Sequence, residues 1–383
     1  NSTTPVAPEV LQAMLPYFAQ EPGNASSIHS FGQRARAAVE RARGVVAAII
    51  GARPAEIVFT SGGTESDNLA IFGIVAPSTG VPKHVITTQI EHHAVLNTCQ
   101  ALERDGVAVT YVPVSADGVV DPADVRRALR PETVLITVMH ANNELGTVQP
   151  IEEIGRIALE ADVYFHSDAV QTVGKLPIAV ARLGVDLLSI SGHKLRAPKG
   201  VGALYVRQGT RLRPLFFGGH HERDRRPGTE NVTGIVGLGR AAELAAANLA
   251  ADGERVAALR DRLERELVAR VPHARVNCGR VLRTPNTTNI TFPYVEGEAL
   301  VIALDLKGVA CSTGAACSAG AVEPSHVLTA IGLPPEDARA SLRFSLGHET
   351  TVEEIDYALS VVPRAVEQLR ELSPAYQKPA VVK

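Results

Sequence analysis

The segment from Ser189 to Lys194 has the most distinctive chemistry in this sequence. It reads Ser-Ile-Ser-Gly-His-Lys and stands at the end of an apolar strand pattern. A lysine at a strand terminus inside a site can lose its proton and form a Schiff base with an aldehyde. Ser191 and His193 beside it can donate hydrogen bonds to a phosphate. Taken alone, Lys194 could equally be a solvated loop lysine.

Two further features supply what an aldehyde cofactor needs. Asp168 follows Tyr-Phe-His-Ser and puts a carboxylate at a second strand end. The turn Ser-Gly-Gly-Thr at 61–64 leads from a strand into a helix, whose free N–H groups and dipole form an anion cup. Asp168 alone could be a helix cap, and Gly-Gly turns are common. Lysine, acid and anion cup together meet the requirements of pyridoxal phosphate.

Cys317 is the candidate nucleophile. It lies in the run Val-Ala-Cys-Ser-Thr-Gly-Ala-Ala-Cys-Ser-Ala-Gly at 309–320, among small residues that predict an accessible thiol in a poorly ordered loop from Ser312 to Ala321. Cys311 ends a strand pattern, Cys99 lies in a helical pattern and Cys278 follows a strand, so structural roles are predicted for these three. The sequence has no CxxC pair, and no metal site is predicted.

The elements that position these residues alternate between short apolar strands and helices over roughly the first 210 residues. This pattern predicts an α/β fold, with a mostly parallel sheet covered by helices and ligands at the carboxyl ends of the strands. After Gly234, a long helix interrupted near Asp252-Gly253 leads into a smaller α+β domain. We expect 1–15 to be an N-terminal segment of the small domain, 16–250 the large domain and 251–383 the small domain carrying the Cys317 loop.

Composition excludes several classes of partner. The 383 residues are 45% hydrophobic and 21% charged, which is typical of a globular protein with a substantial core. With 38 Lys+Arg against 41 Asp+Glu the net charge is -3, so nucleic acid and anionic membranes are not expected partners. Residues 1–5 lack the basic and apolar regions of a signal peptide, and a cytoplasmic location is expected.

The sequence resembles the cysteine desulfurases of the NifS/IscS-like branch, which are pyridoxal-phosphate enzymes of aminotransferase class V with fold type I. The resemblance runs from Thr3 to about Leu372. It rests on short motifs spread along the chain, among them Gly23-Asn24-Ala25-Ser26-Ser27, Thr60-Ser61-Gly62-Gly63-Thr64, Glu91-His92-His93, His140-Ala141-Asn142-Asn143-Glu144, Asp168-Ala169-Val170-Gln171, Ser191-Gly192-His193-Lys194, Gly228-Thr229-Glu230-Asn231 and Leu342-Arg343-Phe344-Ser345.

The resemblance implies a role for each matching residue. Lys194 would hold pyridoxal 5'-phosphate as a Schiff base, His92 would stack on its ring and Asp168 would pair with the pyridine nitrogen. Arg343 would fix the substrate carboxylate with Asn143 nearby. Asn143 and Gln171 would contact the phenolic oxygen of the cofactor. Its phosphate would be bound by Gly63, Thr64, Ser191 and His193, and by Thr229 from a partner subunit.

The implied reaction takes sulfur from L-cysteine, releases L-alanine and leaves a persulfide on Cys317, with Lys194 and His92 moving protons. The persulfide would pass to a sulfur-acceptor protein such as an iron-sulfur scaffold, or into thio-cofactor synthesis, and the enzyme would be a homodimer. Selenocysteine lyase or another class V enzyme would share Lys194 and Asp168, and a catalytically idle scaffold would share the fold. The chain departs from the family at Leu195-Arg196-Ala197, Asp224, Pro227 and His348.

Overall fold

The computed structural model describes residues 1–75, 81–313, 324–374 and 376. The chain divides into two compact units. The first comprises 1–113, 120–142 and 149–251, and the second comprises 114–119, 143–148 and 252–383. In the described parts of the chain, no helix is long and apolar enough to cross a membrane.

The first unit is built on a seven-stranded sheet. Its strands are β1 (Ile57–Thr60), β2 (His84–Thr88), β3 (Ala108–Val112), β4 (Thr133–Thr137), β5 (Tyr164–Asp168), β6 (Leu187–Ser191) and β7 (Gly202–Val206). They lie in the order β1-β7-β6-β5-β4-β2-β3. The pairs from β3 to β6 are parallel, while β7 is antiparallel to both β1 and β6. The mostly parallel α/β sheet predicted from the sequence is confirmed.

The helices that begin in the first unit are α1 (Pro8–Met14), α2 (Pro16–Ala19), α3 (Ser30–Ile49), α4 (Gly63–Val75), α5 (His93–Arg104), α6 (Pro122–Ala128), α7 (Ile151–Glu160), α8 (Val180–Leu183) and α9 (Val232–Arg270). Strands β1, β6 and β7 are buried along their whole length, as expected for a sheet covered on both faces. Helix α4 begins directly after β1 and packs on β4, β5, β6 and β7. The sheet therefore fixes the turn at 61–63 and the first turn of α4.

The second unit carries a four-stranded antiparallel sheet in the order β10-β11-β9-β8. These strands are β8 (Arg275–Val276), β9 (Thr287–Thr291), β10 (Ser312–Thr313) and β11 (Ser341–Ser345). Its helices are α10 (Gly297–Asp305), α11 (His326–Ala330), α12 (Pro335–Arg339) and α13 (Val352–Glu371). One apolar core joins this sheet to the C-terminal half of α9, α10 and α13, which agrees with the small α+β domain that the sequence predicts.

The structure differs from the sequence prediction at the N-terminus. Residues 1–15 belong to the first unit, not to the small domain. The backbone N–H of Thr4 donates to the carbonyl of His193 at 3.0 Å, and that of Ala7 donates to Arg196 at 3.0 Å. These contacts join residues about 190 positions apart, and no local pattern in the sequence announces them.

The structure also differs from the predicted boundary of the large domain and from the predicted interruption of the long helix. The division falls between 251 and 252, and two short segments, 114–119 and 143–148, join the second unit from within the large domain. Helix α9 runs from Val232 to Arg270 without the interruption expected near Gly253. Alanine, leucine, arginine and glutamate on both sides favour helix strongly enough to carry it through one glycine.

Gly202 and Gly253 form a matched pair for a test of packing. A Cβ on Gly202 would lie 2.6 Å from the carbonyl oxygen of Ile190 and 2.7 Å from Cα of Gly62, and backbone atoms in a central strand cannot yield. Gly253 has open space around it. We expect Gly202→Ala to destabilise the fold by about 1–3 kcal/mol and Gly253→Ala to stabilise it by about 0.5–1 kcal/mol. Thermal unfolding would measure both, and equal shifts would contradict the close approach at Gly202.

Candidate active site

Lys194 lies in a short 3-10 helix, Gly192–Lys194, that follows β6 directly. Its Nζ donates to the backbone carbonyl of Ser2 at 2.6 Å. The neighbouring His193 shares a hydrogen bond of 3.0 Å between its Nδ1 and Oγ1 of Thr3. Burial lowers the pKa of His193 to about 4, and the charge of Lys194 contributes. The N-terminal segment thus lies along the lysine and holds the turn that carries it.

The anion cup predicted at 61–64 is a tight junction between α4 and the end of β6. A Cβ added to Gly63 would lie 2.8 Å from Cγ2 of Val170 and 3.5 Å from Cβ of Ser191. Gly62 has φ +155°. Glycine at position 63 therefore lets the backbone approach Ser191 closely. Since α4 begins at Gly63, the free N–H groups of its first turn, including that of Thr64, form the positive end of the helix.

Asp168 is buried at the carboxyl end of β5. Burial raises its pKa, while His92, the Val170 N–H that donates to its Oδ1 at 2.9 Å, and Lys194 act against that rise. Burial also lowers the pKa of His92, with Asp168 acting in the opposite sense. His92 caps α5, its Nδ1 accepting from the N–H of Ala94 at 3.1 Å. Lysine, acid and imidazole, which the sequence analysis assigns to one site, thus interact electrostatically.

Gln171 lies one turn beyond Asp168, and its carbonyl accepts from Nζ of Lys175 at 3.2 Å. Burial lowers the pKa of Lys175 to about 7, and the charge of Lys194 adds to the effect. The sequence analysis gave Lys175 no role, and Lys199, which also follows Lys194 closely, is exposed. The signal for Lys175 was weak, because a lysine seven residues after Asp168 reads as an ordinary loop residue.

Glu91, adjacent to His92, is a second buried carboxyl that sequence reasoning quoted in a motif without giving it a role. The hydroxyl of Thr88 donates to it at 2.6 Å, and the N–H of Met139 lies 3.0 Å from both carboxyl oxygens. Burial raises the pKa of Glu91 to about 8, against the effect of Thr88 and Met139, and the nearby Asp168 adds to the rise. Glu91 is therefore largely protonated at neutral pH.

In the second unit, Arg343 on β11 is buried and its Nη1 donates to the carbonyl of Asn143 at 2.9 Å. Oδ1 of Asn143 is buried with no hydrogen-bond partner in the described part of the chain. Glu144 accepts from the hydroxyl of Ser325 at 2.6 Å, and its burial raises its pKa to about 7. Arg343 also pairs with Ser312 across β10 and β11. Asn143 and Arg343, predicted as substrate ligands, therefore lie together.

Cys317 and most of the loop predicted to be poorly ordered lie outside the described residues. The first two residues of that predicted loop, Ser312 and Thr313, instead form β10. The other cysteines, Cys99, Cys278 and Cys311, are free, and burial raises the pKa of each to about 12. A thiol with so high a pKa is a poor nucleophile, which agrees with the structural roles predicted for these three.

Thr229 is exposed in the stretch between a 3-10 helix, His221–Asp224, and α9. Glu222 of the 3-10 helix forms a buried ion pair with Arg43 of α3, whose Nη1 and Nη2 lie 2.7 and 2.8 Å from the carboxylate. Asp224, one of the departures from the family pattern, has φ +63° and lies 2.5 Å from Nδ1 of His220. This left-handed backbone is a conformation that favours glycine.

These residues fit pyridoxal phosphate on structural grounds. Lys194 offers an amine beside a buried carboxylate, as the Schiff base and the pyridine nitrogen require. The close approach of Gly63 to Ser191 leaves a backbone cradle at a helix N-terminus, which suits a phosphate.

Comparison with known proteins identifies the family. The family model described as Aminotransferase class-V matches residues 1–358. A cysteine desulfurase IscS from Dictyoglomus turgidum is 52% identical over 377 residues, covering 98% of this chain and 96% of that protein. A solved NifS-like protein superposes with a TM-score of 0.90 at 38% identity, covering 96% of this chain and 98% of its own. A solved structure described as SspA in complex with cysteine superposes with a TM-score of 0.80 at 42% identity, covering 90% of this chain and 96% of its own.

The raised pKa of Glu91 makes a prediction about stability. A carboxyl whose pKa is about 8 in the fold and 4.5 in the unfolded chain gives stability that is complete below pH 4.5 and is lost as the pH rises to 8. We expect Glu91→Gln to remove this loss, which amounts to at most about 1.4 kcal/mol per pH unit. Urea unfolding across this pH range would measure it.

Exposed Glu254 on α9 provides the control. Glu254→Gln should leave the slope of stability against pH as it is in the parent chain. A Glu91→Gln variant with the parent slope would show that Glu91 is ionised in the fold.

Proposed function

The chain belongs to the class-V aminotransferase family and is a pyridoxal-phosphate-dependent cysteine desulfurase, and from that premise we propose which of its residues perform the reaction. The observation that carries the proposal is the electrostatic coupling of Lys194, His92 and Asp168 at the carboxyl ends of β5 and β6. Lys194 would hold the cofactor, Asp168 would face its ring nitrogen and His92 would cover its ring. When bound, the cofactor supplies an electron sink for cleavage of the C–S bond of L-cysteine.

The residues around this centre would orient the cofactor. The first turn of α4, with Gly63 and Thr64, and the side chains of Ser191 and His193 would bind the phosphate, because they combine a helix N-terminus with short polar donors. Gln171, just beyond Asp168, and Asn143 would contact the phenolic oxygen. The low pKa of His193 leaves it neutral at physiological pH, so one ring nitrogen can donate a hydrogen bond.

Two groups would move protons. The pKa of His92 is lowered by burial, so His92 is neutral near pH 7 and can accept a proton. Lys194, once released by the substrate, is the second candidate, and its charge interacts with that of the neighbouring Lys175. Both groups lie close enough to Asp168 to interact with its charge.

In the second unit, Arg343 and Asn143 would bind the substrate carboxylate. The guanidinium of Arg343 is buried and fixed by the carbonyl of Asn143, so it offers a planar donor pair in one orientation. A free amino acid needs such an anchor, because its carboxylate is the group that all amino acids share.

Cys317 would accept the sulfur. Its thiolate attacks the sulfur of L-cysteine, an S–S bond forms as the C–S bond breaks, and the carbon that keeps the bonding electrons becomes the methyl group of alanine. The three described cysteines support this choice, since their high pKa values disfavour thiolates. The product is a persulfide on Cys317.

The persulfide would be delivered to a sulfur-acceptor protein such as an iron-sulfur scaffold, or used in thio-cofactor synthesis. The name IscS of the relative supports the first destination. A reducing compartment is needed to keep Cys317 reactive, and the free thiols of Cys99, Cys278 and Cys311 agree with a cytoplasmic location.

A homodimer belongs to the same proposal, with Thr229 binding the phosphate in the partner subunit. The first unit exposes several large apolar side chains, among them Ile28 at 91% and Phe217 at 89%. A groove of about 410 Å³ lies between α3 and the segment that precedes Thr229, lined in part by Arg36, Glu40 and Arg223. Exposed apolar side chains of this size favour association with a second copy.

Lys194→Ala should abolish the visible absorbance of bound cofactor and all release of alanine, because the Schiff-base amine is lost. Lys175→Ala is the matched control, since Lys175 is the lysine whose charge interacts with that of Lys194, and it should keep the absorbance. Borohydride reduction followed by peptide mass analysis identifies the linked residue. A cofactor-linked peptide containing Lys175 or Lys199 would show that the assignment is wrong.

Cys317→Ser should keep the cofactor colour and the substrate-induced spectral change but release almost no sulfur, because a hydroxyl is a far weaker nucleophile toward sulfur. Cys311→Ser should retain parental turnover. The measurement is incubation with L-cysteine with and without reductant, scoring alanine, sulfide and the mass of the Cys317 peptide. Near-normal alanine release by Cys317→Ser, or a persulfide on Cys311, would place the nucleophile elsewhere.

Thr229→Ala should weaken cofactor retention without harming the fold, because Thr229 is exposed in the single chain. Mixing this variant with Lys194→Ala tests whether the site is shared. Each mixed dimer would contain one site with both an intact Lys194 and an intact Thr229, so roughly a quarter of parental activity should return at equal mixing. No recovery in dimers shown by sedimentation to have exchanged subunits would mean that each site lies in one chain.

A further inference from the structure

A series of polar side chains lies next to the site on one face of the large sheet. His166 and Asp168 point to the same face of β5, because side chains two apart share a face. Thr137 pairs with His166 across β4 and β5, and Ser189 pairs with Asp168 across β5 and β6. Helix α4 packs on these strands and brings Asp67 to them.

Hydrogen bonds connect these groups in sequence. Nδ1 of His166 lies 2.8 Å from Oγ1 of Thr137, and its Nε2 lies 3.0 Å from Oγ of Ser189. The Ser189 hydroxyl is hydrogen-bonded to the carboxyl of Asp67. Oδ1 of Asp67 lies 3.6 Å from Nε2 of His166 and has no hydrogen-bond partner among the described residues. All four side chains are buried.

The direction in which these hydrogen bonds donate depends on whether Asp67 carries a proton. An ionised Asp67 accepts from Ser189, which then accepts from His166 Nε2–H. A protonated Asp67 donates to Ser189, which donates to Nε2, and the ring proton of His166 moves to Nδ1 and faces Thr137. The tautomer of His166 therefore reports the charge of Asp67.

Charge decides between the two arrangements. Three carboxyls, Asp67, Glu91 and Asp168, are buried within electrostatic reach of one another. Two basic neighbours, His92 and Lys194, oppose the rise in the pKa of Asp168. Burial raises the pKa of Asp67 well above its usual value, Asp168 and Glu91 add to the rise, and Ser189 opposes it. Burial lowers the pKa of His166 to about 3, so His166 does not offer Asp67 a cation.

We propose that Asp67 is a positioning residue for the cofactor site: a protonated carboxyl that donates through Ser189 to His166 and leaves Asp168 as the single charged carboxylate of the three. This inference rests on the proposed role of Asp168. An unpaired oxygen on a neutral acid is tolerated far better than one on a buried carboxylate, which accounts for the lone Oδ1 of Asp67.

The first test is the histidine tautomer in ¹⁵N-histidine-labelled protein, measured with and without pyridoxal phosphate. We expect His166, assigned by the signal lost in His166→Asn, to carry its proton on Nδ1. Asp67→Asn should preserve this tautomer, because the amide of asparagine also donates to Ser189, and Ser189→Ala should lose it. A proton on Nε2 in the parent protein, or on both nitrogens, would overturn the proposal.

The second test is the pH dependence of the visible absorbance of the bound cofactor. Asp67→Asn replaces one neutral donor by another, so the midpoint should stay where it is in the parent and the cofactor dissociation constant should change less than about twofold. Asp67→Ala leaves Ser189 without its donor and should weaken retention about tenfold. A midpoint lowered by on the order of one pH unit in Asp67→Asn would show that a negative charge had been removed.

Asp168→Asn separates the two proposals. It should change the cofactor absorbance and leave the tautomer of His166 unaltered. If the absorbance and its pH dependence do not respond, the role of Asp168 is wrong. The tautomer of the parent protein, read without cofactor, still shows whether Asp67 is protonated.

Discussion

A carboxyl group buried at the end of a strand is the constraint on which the site depends. Asp168 has lost its water, and burial raises its pKa. It can be charged only if nearby groups compensate, and the surrounding residues act in that sense. The N–H of Val170 donates to it, while His92 and Lys194 lie close enough to stabilise its charge. The same burial makes the charge useful, because an unscreened carboxylate holds a proton on a ring nitrogen more firmly.

How much of this could be predicted from the sequence differs between fold and site. Strand and helix alternation predicted the parallel sheet, because a helix between successive strands is the usual connection of parallel strands. The motif at 189–194 predicted the position of Lys194, because a strand end followed by lysine is a local pattern. The contact of Lys194 with Ser2 was not predictable, because it joins residues 192 positions apart and involves only a backbone carbonyl on one side.

The groups that were missed share one property. Asp67, Glu91 and Lys175 are ordinary residues in the sequence, and their unusual pKa values arise from burial and from neighbours that only the fold brings together. Asp67 lies on a helix, where an acid usually faces solvent. Glu91 stands in a quoted motif, and Asp67 and Lys175 each follow one by a few residues. A motif gives residue identity and spacing, whereas desolvation depends on how the helices and loops pack against the sheet.

In the segment before Thr229, side-chain contacts stabilise a strained backbone conformation. Glu222, Arg223 and Asp224 have φ values of 44°, 57° and 63°, and non-glycine residues in this region each cost about 1 kcal/mol or more. Glu222 compensates through its buried bonds to Arg43 and to the N–H of Phe59, which lies at 2.9 Å. Because the single chain already fixes this conformation, an association that used Thr229 would not have to order the segment.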